Sequence, residues 1–368
     1  MGGKPPMPIA ISAHAQIAQT ESPRSYFNLS RVRYIDEMKF LTSAIALLAF
    51  GAMAAAQQQP SSDYRLALTE HKGQLQWHAE GFTIIQRSAK AGGREVGIRG
   101  KDSTGRLTFL GFLFLAPEGA PQSSVKCRDQ VLAYDKRNVP SLQVLKTSEL
   151  QPPSGLPVAL VNYTTKAKDG STEYNVRGFI ATGDICGDLE FYSSKPVGDQ
   201  DKDIAAIFST YRFDPDYGPK FADVFLYGQV LYQNEMFKAA APVFEKALAI
   251  VPPDGAPFPS NKIATRVATD QAGMAYGISG DIHKARSLFE AAIVKDPDYP
   301  LYYYNLACAD AEEKNLPAAR RHLQEAFARK ANGNPGEPMP DPTQDDSFTP
   351  YKSNKEFWAF LKQLQSPN

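Results

Sequence analysis

The chain has 368 residues, with 40 lysines and arginines against 40 aspartates and glutamates, and three cysteines. That length suits two domains, and apolar and charged fractions of 43% and 22% are those of a globular protein. The zero net charge excludes the broad positive field by which many proteins hold nucleic acid, so no nucleic-acid partner is expected.

Residues 1–37 are mixed Pro, Ser and Ala without periodicity. Met38-Lys39 then precedes an apolar run from Phe40 to Phe50 and a small-residue stretch ending at Ala56. A short basic start, a core of about ten apolar residues and a small-residue site are the parts of a secretory signal peptide. The reading is a signal at 38–56, cut before Gln57, and a periplasmic or secreted mature chain. The run is too short to cross a bilayer, so no stable membrane span is expected after its removal. Residues 1–37 then read as an upstream extension ahead of the true initiator Met38, disordered if translated. The first 56 residues hold five basic and three acidic residues, which leaves the remainder at −2. In an oxidising compartment Cys127 and Cys186 are the simplest disulfide, with Cys308 free; two buried thiols that never meet are the alternative.

Residues 64–214 read as an α+β domain, an antiparallel sheet with packed helices. Strand patterns fall at Phe82–Ile85, Glu95–Arg99, Leu107–Leu115, Leu142–Leu145, Val158–Thr164, Tyr174–Thr182 and Leu189–Ser193. Asp169-Gly170 is a hairpin signal between two of them. One helix is expected over 122–136 and a second over Asp199–Arg212. Asp199, Asp201 and Asp203 imitate the start of a calcium loop, but Ile204 and Thr210 stand where glycine and a bidentate glutamate are required. They read instead as an acidic helix start. The closing strand Asp188–Ser194 and the helix ending in Phe208-Ser209-Thr210-Tyr211-Arg212-Phe213 resemble the end of PsbP-like domains over about 30 residues, which implies binding or assembly rather than catalysis. The linker Asp214–Pro219 is short and holds two prolines, so it restricts how the two domains sit.

From 219 one pattern recurs. Gly228, Leu231, Ala240, Phe244, Ala247 and Pro252 are repeated, 45 residues on, by Gly273, Tyr276, Ala285, Phe289, Ala292 and Pro297. A further shift of 34 reaches Ala307, Ala319, Leu323 and Ala326. Ala240, Phe244 and Ala247 form one helical stripe, small residues allow two helices to approach, and Pro252 stops the second helix. This pattern resembles the tetratricopeptide (TPR) family. The resemblance implies an all-α TPR solenoid of three repeats over 219–333. The offset of 45 is the family's 34 plus 11, so residues near 253–264 are an insertion, after which Ser260 can cap a helix that starts a turn early. The third copy departs from the family, with Asp310 at a usually apolar position and Ala331 in place of the last proline. Residues 334–352 are a Pro-rich loop, and Lys355–Gln363, capped by Ser353 or Asn354, is a capping helix that ends the 334–368 region.

The family likeness also implies a groove lined by the first helix of each repeat. The matching positions are Phe225, Gln229, Tyr232 and Gln233, then Asp270 and Met274, then Tyr304, Cys308 and Glu312. Aromatic, Met and amide side chains suit a protein or peptide partner; the alternative is a groove filled by the insertion or the C-terminal segment. Phe225 and Gln229 replace the lysine and asparagine of repeats that clamp a carboxylate terminus. No phosphate loop, nucleophile elbow or zinc-helix motif occurs, and the five histidines are scattered. No catalytic residue, metal or cofactor is expected. The expected function is a non-catalytic interaction or scaffold protein of the cell envelope. Its rivals are an enzyme whose site in 64–214 uses Asp184, Asp188 and Glu190, and a permanent subunit of an envelope assembly.

Overall fold

The computed structural model describes residues 62–116, 123–152 and 155–365. The expected signal at 38–56 and the extension at 1–37 lie outside the described residues.

Seven strands form one antiparallel sheet in the order β3-β4-β5-β9-β8-β7-β6: β3 (Phe82–Lys90), β4 (Glu95–Asp102), β5 (Thr108–Leu115), β6 (Gln143–Leu150), β7 (Val158–Lys166), β8 (Thr172–Thr182) and β9 (Ile185–Ser193). The Asp169-Gly170 turn joins β7 to β8, which pair from Ala159↔Phe179 to Lys166↔Thr172. Both edge strands carry a bulge, at Ile84/Gln86 on β3 and Val144/Lys146 on β6. The extra residues, Ile85 and Leu145, are exposed. A bulge with a charged neighbour spoils an edge as a template for further strands.

A second, three-stranded sheet was not foreseen: β1 (Asp63–Ala67), β2 (Gln74–His78) and β10 (Arg212–Asp214), in the order β1-β2-β10. Its strands are five, five and three residues long, so each offers at most three apolar positions of alternation. β10 also shortens the second helix. That helix, α2 (Lys202–Thr210), begins after Asp201, whose carboxylate accepts from the amides of Asp203 and Ile204. It ends before Tyr211, which turns extended to feed β10.

The large sheet is covered on both faces. Helix α1 (Ser124–Asn138) lies on one, over Phe112, Phe114, Val161 and Phe179. The small sheet and α2 lie on the other, over Phe109, Val176, Leu189 and Phe191. Every residue of β5 is therefore buried, which is why that strand reads as a continuous apolar run. A Cβ on Gly111 would stand 2.6 Å from the Trp77 ring; the missing side chain lets the two sheets close up.

The helical part follows as α3 (Phe221–Gln233), α4 (Phe237–Leu248), α5 (Asn261–Ile278), α6 (Ile282–Lys295), α7 (Pro300–Glu312), α8 (Leu316–Ala328) and, after a long loop, α9 (Lys355–Leu364). Each helix from α3 to α8 packs on the next. The three hairpin turns are equivalent atom for atom. Met236 N donates to Leu231 O, Asp281 N to Tyr276 O, and Asn315 N to Asp310 O, at 2.9, 2.9 and 2.7 Å. The residue before each donor, Glu235, Gly280 and Lys314, has φ of 60°, 89° and 62°. Within each of the first two hairpins an aromatic ring fills the space left by glycine: a Cβ on Gly228 would be 2.8 Å from Phe244, and one on Gly273 2.2 Å from Phe289.

The two units share one core. Phe221, Phe225 and Leu231 of α3 belong to the same apolar cluster as Trp77 and Phe109. At the junction, the Tyr227 hydroxyl donates to Lys90 O at 2.5 Å and accepts from Gly93 N at 2.7 Å. Lys246 donates to Thr69 O at 2.7 Å and pairs with Glu70 at 2.9 Å.

Candidate functional site

The residues expected to line a partner groove are mostly interior. Phe225, Gln229, Tyr232, Asp270 and Tyr304 are buried, and Met274 is half-buried. Gln233 and Glu312, at the ends of α3 and α7, are exposed. The expectation of an open groove is corrected by two pieces of the chain itself. Phe258 of the insertion packs on Phe221 and Phe225, with ring centroids 6.0 and 5.4 Å away. The 332–351 segment runs over α5 and α7. Arg266 donates to Asn332 O at 3.0 Å, the Tyr299 hydroxyl to Glu337 at 2.9 Å, the Tyr304 hydroxyl to Asp345 at 2.9 Å, and the Tyr351 hydroxyl to Ala311 O at 2.5 Å. Phe348 is fully buried between Tyr304 and Phe357.

This cover buries carboxylates. Asp270 accepts from Asn305 Nδ2; desolvation first, and the nearby Glu337 charge second, push its carboxyl up to about 7. Burial likewise raises Asp345 and, beside it, the Cys308 thiol. Asp310, the departure in the third repeat, is buried against Arg286 at 2.7 Å and His322 at 2.6 Å. It thereby ties the second hairpin to the third.

An open pocket remains, about 440 Å³, between the end of α4, the first turns of α5 and the end of α6. That is the size of a small-ligand or side-chain site. Leu248, Leu288, Ala291 and Ala292 supply an apolar wall. Arg266 forms the inner end: it binds Asp296 at 2.6 and 3.2 Å and stacks on Tyr299 at 4.4 Å. Burial alone would raise the Asp296 carboxyl, but Arg266 and Lys262 hold it below the ordinary range. Lys262, 62% exposed, and Lys295, exposed, stand on the rim. Three cations thus face one committed carboxylate. The sequence signal was present: the insertion lengthens α5 by a turn, whose Lys262 and Arg266 fall at i and i+4 on one face. The groove positions that the family likeness implies do not include Lys262 or Arg266.

In the α+β unit, one of the three residues of the rival enzymatic reading is set apart from the other two. Asp184 is exposed at the β8–β9 turn, while Asp188 and Glu190 are buried. Arg177, also buried, donates to Asp135 at 2.9 Å and to Asp188 at 2.6 Å. The Tyr163 hydroxyl donates to Glu190 at 2.5 Å. Desolvation, partly offset by Arg177, pushes the Asp135 and Asp188 carboxyls up to about 6. The cluster joins α1 to the sheet but is closed to a substrate. On the same face Cys127 of α1 and Cys186 of β9 are bonded, with Cα atoms 6.3 Å apart. Asp199 is held by Lys146, Ser148 and Asn162, and Asp201 by Arg106; among the described residues no acidic or His/Cys group forms a metal-holding cluster. No described helix is long and apolar enough to cross a membrane.

No family model matches the chain, and no curated protein matches it. Among solved structures it is similar to YrrB, a TPR protein with an unusual peptide-binding site, at 24% identity and TM-score 0.26, over 31% of this chain and 53% of that one. The match therefore spans about half of YrrB. PcrH from Pseudomonas aeruginosa aligns at 13% identity and TM-score 0.27, over 40% of this chain and 92% of PcrH. Cyanobacterial PsbP from Synechocystis sp. PCC 6803 aligns at 9% identity and TM-score 0.30, over 41% and 92%.

Proposed function

We propose that this is a non-catalytic protein-interaction protein of the cell envelope, and that its TPR-like hairpins bind a protein partner. The observation that carries the reading is the threefold recurrence of one hairpin, with the same closing hydrogen bond at positions 231/236, 276/281 and 310/315. A stack of equivalent hairpins exposes far more surface than its core requires, and such surfaces serve binding. The binding surface in this proposal is the pocket beside α5, not the groove that the family pattern implies. Its cationic rim and aliphatic wall suit a segment with acidic and aliphatic side chains side by side. Export rests on the Met38–Ala56 pattern in the sequence, and the Cys127–Cys186 bond suits an oxidising compartment.

The test is affinity capture from an envelope extract with the full chain and with Lys262→Glu/Lys295→Glu. Partners that bind the wild-type chain and are lost from the charge-reversed one support the proposal. Equal capture by both would move the surface elsewhere, and no specific capture by either would remove the interaction reading.

A further inference from the structure

Each described arginine that is not exposed has an acceptor, with one exception. Among the described residues that are not exposed, Arg177 holds Asp135 and Asp188, Arg266 holds Asp296, and Arg286 holds Asp310 and Glu313. Arg106 holds Asp201, Arg128 holds Asp129, Arg320 holds Glu356, Arg329 holds Glu325, and Arg99 bonds the Tyr192 hydroxyl. Arg87, half-buried on β3, has none. Burial lowers its pKa with no carboxylate opposing the shift. A cation partly withdrawn from water, with no carboxylate to neutralise it, incurs a desolvation cost that a bound counter-charge would offset.

Arg87 lines a cavity of about 50 Å³ at the junction of the two units, between β1, β3, β4 and α3. Arg65 of β1 lines it too, with Ser88 and Gly97 from the sheet. The one carboxylate there is Asp223, and it is engaged elsewhere: it accepts from the Tyr217 hydroxyl at 2.7 Å and from Lys220 N at 2.8 Å. The Tyr227 hydroxyl is likewise spent on Lys90 O and Gly93 N. The space is that of a few water molecules, enough for a small oxyanion and too little for a nucleotide or a peptide.

We infer that the junction between the sheet and the first helical hairpin binds a small oxyanion, of phosphate or carboxylate size, between Arg87 and Arg65. Such an ion supplies the counter-charge that Arg87 lacks. Because β3 and α3 both border the cavity, it fastens the helical unit to the sheet. Guanidinium binds both carboxylate and phosphate through paired hydrogen bonds, so the geometry admits either source.

The experiment is thermal unfolding of the full chain at pH 7.5 in sodium chloride, inorganic phosphate or acetate at equal ionic strength. The wild-type melting temperature should rise by about 3 °C or more in a saturable way with phosphate or acetate over chloride, and whichever ion acts at lower concentration identifies the source. Arg87→Met should abolish the response and, in chloride, melt no lower than wild type. Arg137→Gln, on exposed α1 surface, should keep the response. Should Arg87→Met fold poorly, Arg87→Gln and broadening of the phosphate 31P resonance by the wild-type chain replace it. The inference is overturned if neither ion shifts the wild type, if the shift survives in the Arg87 variants, or if Arg87→Met in chloride melts well below wild type.

Discussion

The two halves of this protein bury themselves by different chemistry. Inside each of the first two helical hairpins, the helices meet through small residues and one ring, Phe244 over Gly228 and Phe289 over Gly273, and charges, Asp310 with Arg286 and His322, enter only between the second hairpin and the third. In the α+β unit, α1 is joined to the sheet by charges and a covalent bond: Arg177 between Asp135 and Asp188, and Cys127 to Cys186. A steric interlock leaves a sequence trace because it demands certain residue sizes at fixed spacing. A buried ion pair leaves none, since its partners come from elements 11 and 42 residues apart that only the fold brings together.

The largest expected effect tests the charged half. Arg177→Met leaves two buried carboxylates without a cation and should cost about 3–5 kcal/mol in denaturant unfolding. Adding Asp135→Asn and Asp188→Asn should restore much of that loss. If the single variant unfolds like wild type, the ion cluster does not hold α1 to the sheet.

Next is Asp270, a charged residue stranded in the steric half. Its folded pKa, about 7, lies above that of an unfolded aspartate. Its contribution is therefore fully present below about pH 4 and is lost as pH rises through about 7. Asp270→Asn should raise stability at pH 8 by up to about 4 kcal/mol and make little difference at pH 4. A melting temperature that responds equally at both pH values would contradict the burial of Asp270.

Ala285→Leu or Gly273→Ala should each cost about 1–3 kcal/mol, read as a lower melting temperature, because Phe289 and the neighbouring helix cannot yield without moving the hairpin. A wild-type melt would break the interlock account. The smallest effect concerns the hairpin turns. Glu235 and Lys314 hold a left-handed backbone that the middle repeat gives to Gly280. Glu235→Gly or Lys314→Gly should stabilise by about 0.5–1 kcal/mol, whereas Gly280→Ala should destabilise.

Much of this contrast could be read from the chain, and the limits have physical causes. The hairpins were legible because size and spacing repeat at 228/273 and 244/289. The turn residues 235, 280 and 314 also keep phase, but Glu, Gly and Lys share no property except their backbone angle. The seven long strands were legible from alternation or from continuous apolar runs. β1 and β2 were not, because five residues seldom stand out from a loop. The residues expected to line a groove are a different case, and the burial of most of them fits the alternative of a groove filled by the insertion and the C-terminal segment. Phe225, Asp270 and Tyr304 are buried, Phe225 against Phe258 and Tyr304 against Asp345, and those partners are distant in sequence. Nothing local to a helix records what will later lie on it.

The central claim is that a protein partner binds the pocket beside α5 rather than the groove implied by the repeats. Site-specific photo-crosslinking in the producing cells tests it most directly, with a benzophenone side chain placed in turn at four exposed positions: Lys262 and Lys295 on the pocket rim, Gln233 and Glu312 at the ends of the covered groove. The account predicts a partner adduct from 262 and 295 and none from 233 and 312. Adducts from 233 and 312, with none from the pocket rim, would contradict it.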